Sequence, residues 1–263
     1  MSLALADRAT ERPLPRLGGL STTLVSLEVR RALRNRRVLI FTLVMPPLLF
    51  LLIGAQQKGD QIKGTGADGA AYSLVSLAVY GAMVAATSSG AAVGAERAQG
   101  WSRQLRLTPL RPWAYIVAKV CVGMVLALAS VLAEVVTGAV LGVSMGARQW
   151  LLCFTVAWLG ALVFAAFGLA VGYLLPTDNA MQVIGPLLAV MSTFGGLFVP
   201  LELLPHTVRM VAHWTPVYGV SSIARAPLTH GDVTIGMIGN VVLWGVVFAG
   251  VASRAFRRDT RRV

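Results

Sequence analysis

Charge is scarce in this sequence: 13% of its 263 residues are Asp, Glu, Lys or Arg, against about a quarter in an ordinary soluble domain. Water is therefore not its main solvent. There is no GxxxxGK[ST] phosphate loop, so the chain does not bind and hydrolyse ATP by itself in the P-loop manner. Its two cysteines, Cys121 and Cys153, fall in separate apolar runs at opposite membrane depths, which argues against a disulfide and makes both small core residues. The three histidines, His206, His213 and His230, lack the HExxH or carboxylate spacing of a metal site and read as solvated or interfacial groups. No GxSxG surrounds Ser88 and Ser89, which read as helix-packing residues. With no paired catalytic residues at usable spacing, an intramembrane enzyme is disfavoured. The first 20 residues show no apolar h-region and no cleavage site, so the first span is expected to serve as an uncleaved signal.

What the sequence has is long apolar runs: 56% of it is hydrophobic. A hydrocarbon core of about 30 Å needs about 20 mostly apolar residues per helix, and six windows approach that length, at about 38–57, 72–95, 113–143, 149–175, 180–199 and 233–256. The fold expected is an all-α membrane protein, a single six-helix domain over 21–256 between a disordered basic tail, 1–20, and a basic tail, 257–263. Ser21 can cap a moderately amphipathic helix running through about Arg37, suited to lying on headgroups. Pro46 and Pro47 should kink the first span. The segment 200–232 holds two apolar stretches too short to span, which predicts a re-entrant or interfacial helix pair.

Orientation follows from the basic residues, which give the chain its net charge of +12. Placed around six spans, eighteen Lys and Arg fall on the side of the N-terminal helix, the 96–112 loop and the C-terminal tail, against five on the other side. Positive residues stay inside, so both termini and that loop are expected in the cytoplasm. The charge is thus a topology signal, and nucleic acid is not an expected partner.

The loop 96–112 combines Trp101, Leu105 and Thr108 at helical spacing with Arg103 and Arg106 pointing elsewhere, and Pro109 and Pro112 stop it. It reads equally as a short helix another protein can grip or as an ordinary basic loop with an aromatic anchor. Glu134 is the one acidic residue deep in a span. An unpaired carboxylate there costs about 3 kcal/mol or more, so it either receives a cationic substrate or, the reading that residue type favours, is protonated or paired with Arg148 or a group of another subunit. Gly90 with Gly94, Gly138 with Gly142 and Gly146, and Gly168 with Gly172 have the spacing of close helix crossings. Met181, Met191 and Phe194 could line an adaptable apolar path, although core or lipid contact explains each of them as well.

Two stretches resemble a known family. The run Ala92 to Lys119, with Glu-Arg-x-x-Gly at 96–100 and Leu-Arg-Leu-Thr-Pro-Leu-Arg-Pro at 105–112, is similar to the coupling region of ABC-2 type permeases, including the daunorubicin-resistance type. Gly195 to Pro205, continuing through Trp214-Thr-Pro-Val-Tyr218 to Arg225, resembles that family's segment between spans five and six, with Thr215 where the family usually has Asn. The resemblance implies the membrane-spanning subunit of an ABC exporter in a bacterial inner membrane. It also implies a second permease copy or paralogue, and a separate ABC ATPase that carries ATP and Mg. Glu96, Arg97, Gly100, Trp101, Arg103, Leu105 and Arg106 would then couple to the ATPase, while spans two and five line the path; the candidates for the path are Met181, Met191 and Phe194 of span five and, from its own burial, Glu134 of span three. The expected cargo is an amphiphilic or apolar molecule such as a drug, an antibiotic or a lipid-like metabolite. The alternatives are export of a polysaccharide or lipid-linked glycan and a membrane sensor or immunity protein that moves nothing.

Cysteines introduced at Lys63 and Gly231 should react with an impermeant thiol reagent added to intact cells, and cysteines at Gln104 and Thr260 should not. Labelling at Gln104 would overturn the orientation.

Overall fold

The computed structural model describes residues 16–62, 66–100, 110–175, 177–201, 204–229 and 231–261. Apart from one isolated bridge between Gln61 and Asp68, the regular structure among them is helical. Helix α1, Thr22–Leu33, begins at Ser21, whose Oγ accepts the Leu24 N–H at 3.1 Å. It stops at Leu33, not near Arg37, because the chain turns at Arg34 and Asn35 before continuing. The next helical run, α2, passes through α-helical turns at Arg36–Leu39 and Met45–Leu49, π-helical turns at Ile40–Val44 and Phe50–Gly54, and a 3-10 turn at Ala55–Gln57. The long helices follow: α3, Gly69–Ala98, α4, Pro112–Val140, and α5, Ala147–Leu174. After them come α6, Thr177–Phe194, the short α7, His206–Ala212, α8, Pro216–Thr229, and finally α9, Ile235–Arg261.

Five helical stretches among the described residues are long and apolar enough to cross a membrane: Ile40–Gln57, Gly69–Ala98, Trp113–Val140, Ala147–Leu174 and Ile235–Arg258. The fifth expected span meets that standard only in part. Helix α6 starts with the polar run Thr177, Asp178 and Asn179, carries Pro186, and is apolar only over Val183–Phe194. It stops before Gly195 and Gly196, the latter at φ +77°, where a side chain would be strained.

Helix α3 is the axis of the bundle, with 83% of its most apolar window buried, against 17% for α9. Its Ala, Gly and Ser side chains explain why: they let neighbours approach on every side. A Cβ on Gly168 of α5 would come within 2.2 Å of the Thr87 carbonyl oxygen of α3, and one on Gly90 within 2.6 Å of the Leu169 nitrogen. Gly94 and Gly172 meet in the same way one turn further on. The two predicted glycine pairs therefore face each other across one crossing. The third set does not form a crossing: Gly138 is helical and packs near Leu74 and Trp150, but Gly142 (φ +64°) ends α4 and Gly146 precedes α5.

The kink in α2 has its partner. Pro46 has no N–H to give the Thr42 carbonyl, and the buried Ser130 of α4 donates its hydroxyl to that oxygen at 2.6 Å. Gly81 of α3 leaves room for both, since a Cβ there would lie 2.3 Å from Ser130 Oγ and 2.9 Å from Pro46 Cγ.

One end of the bundle gathers α1, the end of α3 and the start of α4. The end of α5 joins them there through Arg97, whose guanidinium donates to the Tyr173 carbonyl at 3.1 Å. The opposite end holds α7 and α8. There Gln149 donates to the Pro227 carbonyl at 3.1 Å, and Asn240 of α9 donates to the carbonyls of His213 and Thr215 at 2.9 and 3.1 Å.

The α3–α5 crossing predicts an asymmetric response to small additions. Gly168→Ala should destabilise the detergent-solubilised protein by about 1–3 kcal/mol, the usual cost of overpacking. Gly185→Ala and Gly239→Ala, where a Cβ meets nothing within 4 Å, should not destabilise it. Thermal unfolding of the three variants measures the difference.

Candidate functional site

Helix α1 has no fully buried side chain, so apolar packing alone is a weak anchor for it. What ties it to the bundle is an ion network. Lys119 of α4, only 4% exposed, places its ammonium 2.5 Å from Glu28 Oε2 of α1 and 2.6 Å from Glu96 Oε1 of α3. Arg31 of α1 donates to the same Glu96 oxygen at 3.2 Å, and the Tyr115 hydroxyl donates to Glu96 Oε2. Two carboxylates and two cations balance, and three helices meet in one cluster. Removing one member of a buried pair leaves an uncompensated charge and costs about 3–5 kcal/mol. A 240 Å³ cavity opens beside the cluster, bounded by Glu28, Arg31, Ser88, Glu96 and Lys119.

A second and larger cavity, 780 Å³, lies between α2, α3 and α6, with residues 197–200 forming one wall. Leu49, Ile53, Leu77, Leu197 and Phe198 make it largely apolar, and Gln57, Tyr72, Ser73 and Tyr80 add a few polar groups. The Tyr80 and Phe198 rings pack at 5.0 Å. This size and mixture suit a drug-sized amphiphile.

The residues singled out in the sequence are distributed unevenly over these features. Glu96 is buried in the ion network, 6% exposed, and so faces the bundle. Arg97 caps the end of α5 and lies over the Tyr173 ring at 5.2 Å. Gly100, at φ +75°, lies just beyond the end of α3. Trp101, Arg103, Leu105 and Arg106 lie outside the described residues. Glu134 is fully buried, and among the described residues neither of its carboxylate oxygens has a hydrogen-bond partner. Pairing with Arg148 is therefore not formed; Arg148 is exposed. Met191 packs against the core and Phe194 is 44% exposed. The side chain of Met181 lies outside the described residues. None of Glu134, Met191 and Phe194 is among the described residues lining the large cavity. Sequence reasoning did not single out Glu28, Arg31, Lys119 or Tyr115 as site residues, although Tyr115 and Lys119 lie in the run that resembles the coupling region. A further signal was an acidic residue, Glu28, in a helix otherwise charged only by arginine.

The sequence profile of the ABC-2 type transporter family matches residues 20–228, from just before α1 to the end of α8. The chain belongs to this family. It is also 26% identical over 238 residues to a protein of Bacillus subtilis (strain 168) named "Putative transport permease YvfS", an alignment covering 90% of this chain and 96% of the relative. Family membership and the apolar helices make it a multi-pass membrane protein and a transporter component, not a catalytic enzyme in itself. An ABC ATPase is the partner that the ABC-2 family implies in general.

The ion network gives this ABC-2 chain a specific vulnerability. Lys119→Met should leave Glu28 and Glu96 facing each other and release α1, so trypsin should cut after Arg30, Arg31 or Arg34 at least tenfold faster than in the parent. Lys58→Met, which removes a single bond to the Leu141 carbonyl at the opposite end, should leave that rate unchanged.

Proposed function

We propose that this chain is the permease subunit of an ABC exporter that moves an amphiphilic or apolar molecule out of a bacterial cell, driven by ATP and Mg on a separate ATPase. Both termini and the ion-network end face the cytoplasm, α6 completes six crossings, and two permease copies, or this chain with a paralogue, flank the path. The observation that carries this reading is that one unbroken helix, α3, serves both features of the site. It holds Glu96 in the ion network near one end and lines the large cavity with Tyr72, Ser73, Leu77 and Tyr80 near the other. The sixteen steps from Tyr80 to Glu96 span about 24 Å at 1.5 Å per residue.

An ATPase gripping α1 and the 96–112 segment would thus pull on a rigid lever whose far half shapes the cavity. Glu96 and Arg97 transmit that motion from inside the bundle, and Trp101, Arg103, Leu105 and Arg106 supply the contact with the ATPase. The system is then a two-state element biased by a partner's nucleotide.

The test is co-expression with the candidate ATPase, followed by measurement of complex stoichiometry and ATP-dependent uptake into inverted vesicles. Trp101→Ala should weaken the complex by about 2 kcal/mol or more, as truncated aromatic anchors commonly do. Arg103→Glu and Arg106→Glu should slow association and increase its salt sensitivity. Normal ATPase binding and parental transport in all three variants would refute the coupling role. ATPase binding without any ATP-dependent uptake would favour a sensor or immunity protein.

A further inference from the structure

At the end of the bundle opposite the ion network, Arg225 of α8 is 4% exposed, yet among the described residues it meets no carboxylate. Its guanidinium donates to the Gly196 carbonyl at 2.6 Å, to Ser76 Oγ at 3.0 Å and to Ser221 Oγ at 3.3 Å, and lies over the Tyr72 ring at 4.5 Å. These partners orient the group, and among the described residues none of them carries a negative charge. A buried cation in that state is costly unless an anion joins it. There is room for one: Arg225 borders a 200 Å³ cavity whose described lining also includes Arg209, His213, Tyr218 and Ser222, and no Asp or Glu. Donors of this kind, grouped around an arginine fork, match the geometry of a phosphate, sulfonate or carboxylate.

The pocket also adjoins the large apolar cavity. Tyr72 lines both, and the consecutive residues Leu197 to Pro200 line the large one while Leu201 lines the small one. We propose that the Arg225 pocket binds the oxyanion head of an amphiphile whose apolar tail occupies the large cavity. The cargo class is therefore anionic, not the cationic one that Glu134 would select. This assignment of the occupant as cargo rests on the permease reading. An anionic bilayer lipid offers the same chemistry and is separated from cargo below.

The experiment is equilibrium binding of dodecyl phosphate to the purified full chain in a neutral maltoside detergent, with no ATPase present. One saturable site per chain is expected, with dodecyltrimethylammonium failing to compete. Arg225→Gln should weaken binding at least tenfold and Arg225→Lys less. Ser76→Ala, which removes one of the bonds that orient the guanidinium but keeps its charge, should weaken binding less than Arg225→Gln does. An arginine that only braces the fold would instead lose binding equally in the two. Ala189→Trp, which fills the large cavity, should weaken dodecyl phosphate but not butyl phosphate.

Repeating the titration in phosphatidylcholine nanodiscs with and without phosphatidylglycerol separates the sources. Suppression by phosphatidylglycerol assigns the site to lipid, and its absence assigns it to cargo. Parental affinity in Arg225→Gln, or equal binding of the cationic amphiphile, overturns the proposal and leaves the permease reading standing. Glu202 lies outside the described residues; binding seen only after Glu202→Gln would place the counter-ion within the chain and overturn it too. Absence of ATP-driven transport would sink the permease reading without changing the binding result.

Discussion

The structure depends on how closely α3 and α5 approach. At Gly90 and Gly168 the backbones are near enough that an added Cβ would overlap the other helix, and this contact lets α3 be enclosed on nearly all sides. In lipid there is little hydrophobic gain from bringing apolar helices together, so close van der Waals contact and hydrogen bonds must supply it. Glycine and alanine provide the contact. Thr87 adds a bond from its hydroxyl to the Phe164 carbonyl at 3.3 Å, and Ser89 one to the Lys119 carbonyl at 3.1 Å. The remaining helices arrange themselves around that pair: α4 against the free flank of α3, α9 against α5, and α2 on the outside, where its exposed Ile40, Phe41, Val44 and Leu52 face whatever surrounds the bundle.

The rule that buried polar groups need internal partners accounts for the irregular features as well. The proline pair in α2 frees the Thr42 carbonyl, and Ser130 satisfies it. The turn after α6 presents the Gly196 carbonyl, and Arg225 satisfies it. The start of α8 presents the Gly219 N–H, which Asn240 accepts at 3.2 Å while its amide binds two carbonyls before that helix. In each case one polar side chain on a regular helix repairs a defect on an irregular neighbour.

The helical class and the apolar runs were legible in the sequence because length and hydropathy are local properties. So were the Ser21 cap and two of the three glycine sets, which depend on spacing within a few residues. The ion network was not legible: Lys119 is 91 positions from Glu28 and 23 from Glu96, and no local pattern marks which of many basic residues turns inward. Lys119 and Arg225 entered the sequence reading as charges counted by side and as the ends of the two family-like runs, with no role of their own, yet both prove to be buried anchors. The third glycine set misled because helical spacing cannot distinguish a crossing from a helix stop followed by a turn. The large cavity was invisible for a different reason. It is a space between three helices and a loop, and its polar groups are ordinary Gln, Ser and Tyr residues.

Charge is distributed so that each end of α3 has its own kind of site. Near its arginine-rich end, acid and base are matched within the chain, and the cluster needs no further ion. Near its other end, Arg225 beside Tyr72 and Ser76 is matched only by neutral groups among the described residues. On α4, the buried Glu134 has no hydrogen-bond partner among the described residues and is not among the described residues lining the large cavity or the Arg225 pocket. A carboxyl group enclosed in this way is most cheaply kept protonated, because the neutral acid avoids the cost of a bare charge in hydrocarbon. The groups that border open space are the residues of the large cavity, Arg225 in its pocket, and the members of the ion network beside their smaller cavity.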